Sequence, residues 1–136
     1  LMRYDPRTQT ADVVPAPVIS QFLRAAARQP YAGFPRAGLT FSDTRDPQLR
    51  RFAGLPDGNG GAYVTKVVPG PPPMAPDSTR DILLKVDGQP IDQDGNYEDP
   101  RFGKISLAHY VSTALESGQT IPMVIWRDGA ETTVEA

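Results

Sequence analysis

Proline occupies fifteen of the 136 positions, and where it falls bounds every element the chain can build. Each proline fixes φ, removes a backbone N–H and pushes the preceding residue out of helical geometry. The residues cluster in "VVPAPV" (13–18) and "VVPGPPPMAPD" (67–77), so these stretches read as connections rather than element interiors. Outside these connections the strands are short and the helices few.

Pro17 suits a first helical turn, where its missing N–H is of no consequence. Val18, Ile19, Phe22, Leu23 and Ala26 then recur at helical spacing, with Gln21, Arg24 and Arg28 expected to face away. One amphipathic helix is expected from Pro17 to Arg28, stopped by Pro30. Residues 1–12, before it, are polar and carry no period. Leu39-Thr40-Phe41 reads as a short strand, and Leu49 and Phe52 mark a helical turn. "AYVTKVV", Ala62 to Val68, is the strongest strand, and "DILLKV" is another. In the second, Ile82, Leu84 and Val86 are expected on one face and Leu83 on the other. Asp87-Gly88 supplies a turn, with a very short strand at Pro90-Ile91, and residues 92–104 read as a long loop. Ile105, Leu107, Tyr110, Val111, Ala114 and Leu115 mark a helix, with Ser106 as its cap and Gly118 placed to end it. Asp128-Gly129 is the turn of a closing hairpin. The order implies an α+β fold: a small curled antiparallel sheet of five or six strands covered by two helices, with a further helix before it.

Fourteen basic and sixteen acidic residues are mixed along the chain, and no basic stripe is present to track a phosphate backbone. Nucleic acid is therefore not an expected partner. No apolar run approaches the roughly 18 residues of a membrane span, and no signal peptide is visible. Cysteine is absent, which excludes disulfides and thiolate metal sites. The first residue is Leu1, so a piece of a longer polypeptide is expected.

"IDQDGNYEDPRF", residues 91–102, sets Asp92, Asp94, Asn96, Glu98 and Asp99 around Gly95, as a calcium loop does. Counting Asp92 as position 1 puts Asp94 at 3 and Asn96 at 5, which fits. Tyr97 then stands where the turn needs glycine, and Gly103 where a bidentate glutamate is needed. The pattern fails where geometry is least forgiving, and no metal or other cofactor is expected. Catalysis fares no better. A Ser-His-Asp triad needs three groups in reach, and the one histidine, His109, lies on a predicted helix. "DGNGG" (57–61) has the glycines of a serine-protease nucleophile loop but lacks the serine. No catalytic residue is expected in this chain.

"GGAYVTKVVPG", a connection, then "DILLKVDGQPI", a helix and a hairpin together resemble a PDZ domain. The signature residues are Asp81, Ile82, Leu83, Val86, Asp87, Gly88 and Ile91. The order, with "VVPAPVISQFLRAAARQPYAGFPRAGLTF" before it, is similar to the form found in the HtrA/Deg serine proteases, DegP-like in type. There a proline-flanked helix joins the protease barrel to its PDZ module. The resemblance covers roughly residues 13–136. Two departures stand out. Arg80-Asp81 replaces the family's Gly-Asp, and "PGPPPMAPDST" replaces a short helix.

The resemblance implies residues 1–30 as the end of a protease domain plus a linker helix, and 31–136 as the PDZ domain. It implies no proteolytic activity here, a parent endopeptidase with its triad upstream, a homo-oligomeric parent and an extracytoplasmic, for example periplasmic, location. It implies a peptide partner, a C-terminus or extended segment of a substrate protein, delivered to or sensed for the protease domain in protein quality control. Pro35, Arg36, Ala37, Gly38 and Leu39 would hold the peptide carboxylate; Leu39, Thr40 and Phe41 would pair with the peptide; Ser106, His109, Tyr110 and Thr113 would wall the groove. The competing expectation is an assembly module that packs protease subunits, its groove covered by the N-terminal helix or the 92–104 loop.

Overall fold

The computed structural model describes residues 2–28, 30–68 and 80–136. The proline-rich connection, and the expectation that no helix forms in it, lie outside these residues. In chain order the elements are β1 (Met2–Asp5), β2 (Thr10–Val13), α1 (Ala16–Ala26), β3 (Leu39–Ser42), α2 (Pro47–Phe52), β4 (Ala62–Val67), β5 (Ile82–Val86), β6 (Gln89–Pro90), β7 (Asn96–Asp99), β8 (Gly103–Ser106), α3 (Leu107–Ala114), β9 (Pro122–Arg127) and β10 (Ala130–Glu135). This is a small α+β arrangement with antiparallel sheets and three helices.

The main sheet runs β10-β9-β5-β4-β3, with β6 pairing the far end of β5. β5 is central and buried on both faces except at Lys85, which explains its near-continuous apolar run. Two Asp-Gly pairs reverse the chain, at Asp87 and Gly88 (φ 49° and 78°) and at Asp128 and Gly129 (φ 49° and 84°). Positive φ at both central residues matches the right-handed twist of the flanking strands. The facing of β5 departs from simple alternation. Its register with β9 shifts between Leu83 and Lys85, so Leu84 is an extra residue in the ladder. The bulge returns Val86 to the face of Leu83, in the larger core with Val111 and Ile125. Ile82 and Leu84 pack on the other side of the sheet against Leu55.

Two stretches without an apolar period fold as hairpins. Residues 2–13 form β1 and β2, paired Met2 to Val13 through Asp5 to Thr10, with Gln9 at φ 52° in the turn. Arg3, Tyr4 and all of β2 are exposed, and no alternation marks the hairpin in the sequence. The expected 92–104 loop contains β7 and β8, in which Tyr97 faces Ile105. Asp99 closes its turn by accepting from the N–H groups of Arg101 and Phe102.

α3 starts as the sequence implies, with Ser106 Oγ accepting from the Ala108 N–H at 3.3 Å. It ends earlier: Leu115 is extended (φ −100°, ψ 164°), and Gly118 lies beyond it in a separate turn. The larger correction concerns α1. Its one buried residue is Gln21, whose side-chain amide donates to the Leu115 carbonyl. Arg28 pairs with Glu116 at 2.7 Å. The polar face of α1 thus packs on α3, and Ile19, Phe22 and Leu23 are exposed. A period of 3.6 specifies two faces of a helix but not which one turns inward.

Candidate functional site: the edge strand β3

β3 closes one side of the main sheet. It pairs with β4 from Leu39–Val67 to Ser42–Tyr63, shifting register after Thr40, and no described strand lies on its other side. Its side chains divide as the pleat requires. Leu39 is buried in the core, Thr40 is exposed, and Phe41 packs half-buried against the same core. The Thr40 hydroxyl meets that of Thr65 across the pair at 2.9 Å.

The chain enters β3 through Pro35-Arg36-Ala37-Gly38. Gly38 has φ 64°, a conformation that disfavours any side chain. Its carbonyl accepts from the Val68 N–H at 2.6 Å, which ties the loop to the end of β4. The N–H groups of Arg36, Ala37 and Gly38 donate to no other described residue. Arg36 is exposed and has no ion-pair partner among the described residues. Three successive amides without a described partner, with an exposed arginine among them, thus stand at the start of the edge strand.

His109, Tyr110 and Thr113 lie elsewhere. With Arg24 of α1 and Asp99 of the β7–β8 hairpin they line a different cavity of about 420 Å³, to which β3 contributes nothing. The His109 ring meets Phe102 edge-on at 5.7 Å. Tyr110 donates to Asp87 Oδ2 at 2.7 Å and packs edge-on against Tyr97, which donates to Asp99. Burial, reinforced by these carboxylates, pushes both phenols up to about 12. The Thr113 hydroxyl is spent on the His109 carbonyl. Leu107 and Val111 anchor α3 in the core, which leaves its other flank to Ala108 and Ser112.

No protein-family model matches the sequence. A curated relative does: "Putative protease Do-like 3, mitochondrial" of Arabidopsis thaliana is 28% identical over 120 residues, covering 88% of this chain. The chain resembles part of a Do-like protease. It spans only 21% of that relative's length. The similarity therefore concerns an HtrA-related segment and leaves most of the relative unmatched.

Beside β3 lies a feature that the residue pattern concealed. Asp92 Oδ1 accepts from the N–H groups of Asp94 and Asn96, which makes it the cap of a tight turn. Its Oδ2 is out of solvent and takes no well-aligned hydrogen bond, but Lys104 Nζ stands 3.0 Å away as an ion pair. Burial works to raise this carboxyl and is outweighed by the two amides and Lys104, so it titrates below the ordinary range. Asp94 is held down by its hydrogen bond to Arg45. Two cations thus serve the carboxylates that resemble calcium ligands, and among the described residues no three acidic or histidine side chains are arranged to hold a metal. The sequence signal for this role was the glycine one place early. Gly95 lies against Phe41 of β3.

Proposed function

We propose that this chain is a PDZ-type module of an HtrA/Deg protease that binds a peptide C-terminus or extended segment by strand addition. The observation that carries the reading is the unpaired edge of β3 following directly on the Arg36–Gly38 amides. A peptide strand would continue the ladder beyond β3, and its carboxylate would take the three amides with Arg36 beside them. The α3 wall of the groove is drawn from Ser106, His109, Tyr110 and Thr113, with Ala108 and Ser112 next to them. Such a module delivers or senses substrates for a protease domain elsewhere in its polypeptide.

Magnitudes fit a transient interaction. Three or four main-chain hydrogen bonds at about 1 kcal/mol each and one apolar side chain at about 2 kcal/mol act against several kcal/mol of association cost. Affinities on the order of micromolar or weaker follow. The test is titration of the chain with a library of C-terminal peptides, beside the Gly38→Val variant. Binding that the variant abolishes, with its fold intact by circular dichroism, supports the reading. Absence of any binding stronger than about millimolar, or equal binding by Gly38→Val, overturns it. The outward apolar face of α1 favours a second reading, an assembly module that binds no free peptide.

A further inference from the structure

A cavity of about 640 Å³ lies on the face of the main sheet opposite α3, bounded by the end of α2, by β4 and by the β9–β10 turn. Its volume is in the range of bound ligands. Three aromatic side chains line it: Phe52, Tyr63 and Trp126. Tyr63 and Trp126 pack partly on the smaller core of Leu55, Ile82 and Leu84, so they form a firm floor. The Trp126 indole N–H donates to the Ala53 carbonyl at 2.9 Å, which ties that ring to the end of α2. Phe52 differs from both. At 76% it is the most exposed large apolar side chain among the described residues. An aromatic ring left this open at the side of a cavity belongs to a contact surface rather than to a core.

Charge sets the kind of ligand. Arg51, Arg80 and Arg127 line the same cavity, and among the described residues Asp128 is its one lining carboxylate. Arg127 is engaged with buried Asp81, through Nε at 2.8 Å and Nη2 at 2.6 Å. Arg51 is exposed. Its Nε donates to the Pro47 carbonyl at 3.3 Å, and it has no ion-pair partner among the described residues. Arg80, which replaces the family's glycine, adds a further guanidinium to the rim. A chain of net charge −2 thus gathers cations beside an aromatic floor. Guanidinium groups take carboxylates through paired hydrogen bonds, and aromatic rings take apolar side chains.

We infer that this cavity binds a short acidic segment of a partner protein, with an apolar side chain seated against Phe52, Tyr63 and Trp126 and a neighbouring carboxylate held by Arg51 and Arg80. A basic segment is disfavoured, because it would meet three arginines. β3 and the Arg36–Gly38 amides line no part of the cavity, so the site needs no free C-terminus. It stands whether or not β3 binds peptide.

Trp126 is the one tryptophan of the chain, so its fluorescence reports on the cavity directly. The chain is titrated with a library of N-acetylated, C-amidated peptides in which an aspartate or glutamate adjoins an aromatic or aliphatic residue. Amidation denies the Arg36–Gly38 amides a terminal carboxylate. The expected result is a saturable shift of the Trp126 emission. Arg51→Glu and Phe52→Ala should each weaken binding by about tenfold, and Gly38→Val should bind as the unaltered chain does. Both altered side chains are exposed, and circular dichroism checks that the fold is kept. Absence of a saturable shift up to about millimolar peptide overturns the inference, as does equal binding by either variant. Equal binding of peptides with asparagine or glutamine in place of the acids also overturns it. Binding that Gly38→Val abolishes and Arg51→Glu leaves intact assigns the peptide to β3 and overturns it too. Should Arg51→Glu unfold the chain, Arg51→Gln carries the same comparison.

Discussion

Gly95 lies beneath the ring of Phe41: a Cβ on Gly95 would fall 2.1 Å from Phe41 Cε2. This contact joins the turn that precedes β7 to the edge strand proposed to bind peptide. Gly95 also has φ 77°, which disfavours any side chain independently of the contact.

Gly95→Ala should therefore cost about 3 kcal/mol, from overpacking and a left-handed backbone together. For a chain of this size the melting temperature should fall by about 10 °C. Differential scanning calorimetry measures it, and Phe41→Leu in the same chain should recover part of the loss. A fall of less than about 2 °C, or no recovery, removes the contact from the account.

Arg127 holds both oxygens of Asp81, through Nε at 2.8 Å and Nη2 at 2.6 Å, and Asp81 is fully buried. Arg127→Met leaves that carboxylate without its counter-charge and should destabilise the fold by about 3 kcal/mol. Adding Asp81→Leu removes the stranded charge, so the double variant should recover most of the stability. Urea denaturation of the three variants settles it: losses that simply add would mean the two side chains do not act as a pair.

What the sequence showed and what it hid divide along one line. Features set by local chemistry were legible: the Asp-Gly turns at 87–88 and 128–129, the Ser106 cap, and the apolar run of β5. Features set by what packs against an element were not. The period of α1 was correct, but its inward face was decided by Leu115 and Glu116, far along the chain. β7 and β8 carry mainly Tyr97 and Ile105 as apolar residues facing each other, too few to announce a hairpin. At the candidate site, the strand at Leu39–Phe41 was legible from its alternation, whereas the roles given to it and to Gly38 came only from the family resemblance. The surroundings of His109, Tyr110 and Thr113 were not legible, because they depend on where α1 and the β7–β8 hairpin sit.

Tyr97, buried, and Tyr110, half-buried, give a prediction at high pH. Tyr97 and Tyr110 titrate at about 12 in the folded chain, against about 10 for an unfolded tyrosine. Between these values the folded state keeps protons that the unfolded state has released, so stability falls as pH rises from about 10 towards 12. Below about pH 10 their contribution is complete. Near-ultraviolet titration should show two of the five tyrosines ionising late, together with unfolding. Tyr110→Phe should remove one late step. Five early, reversible ionisations would contradict the placement of both rings.

Asp92 and Lys104 give the opposite limb of the pH profile. The Asp92 carboxyl lies below its ordinary value in the folded chain. Its contribution is present above the unfolded value of about 4 and is lost as pH falls through the folded one. Lys104→Met removes a counter-charge and leaves burial acting alone against the two amides. The carboxyl should then protonate at higher pH, and acid unfolding should begin earlier. Melting temperature followed from neutral pH downwards should show the two profiles separating only on the acid side. Calcium should leave the wild-type melting temperature unchanged, because Lys104 Nζ already stands 3.0 Å from Asp92 Oδ2, where a metal would have to bind. Coincident acid profiles, or a clear upward shift with calcium, would show that Lys104 is not the charge partner of this turn.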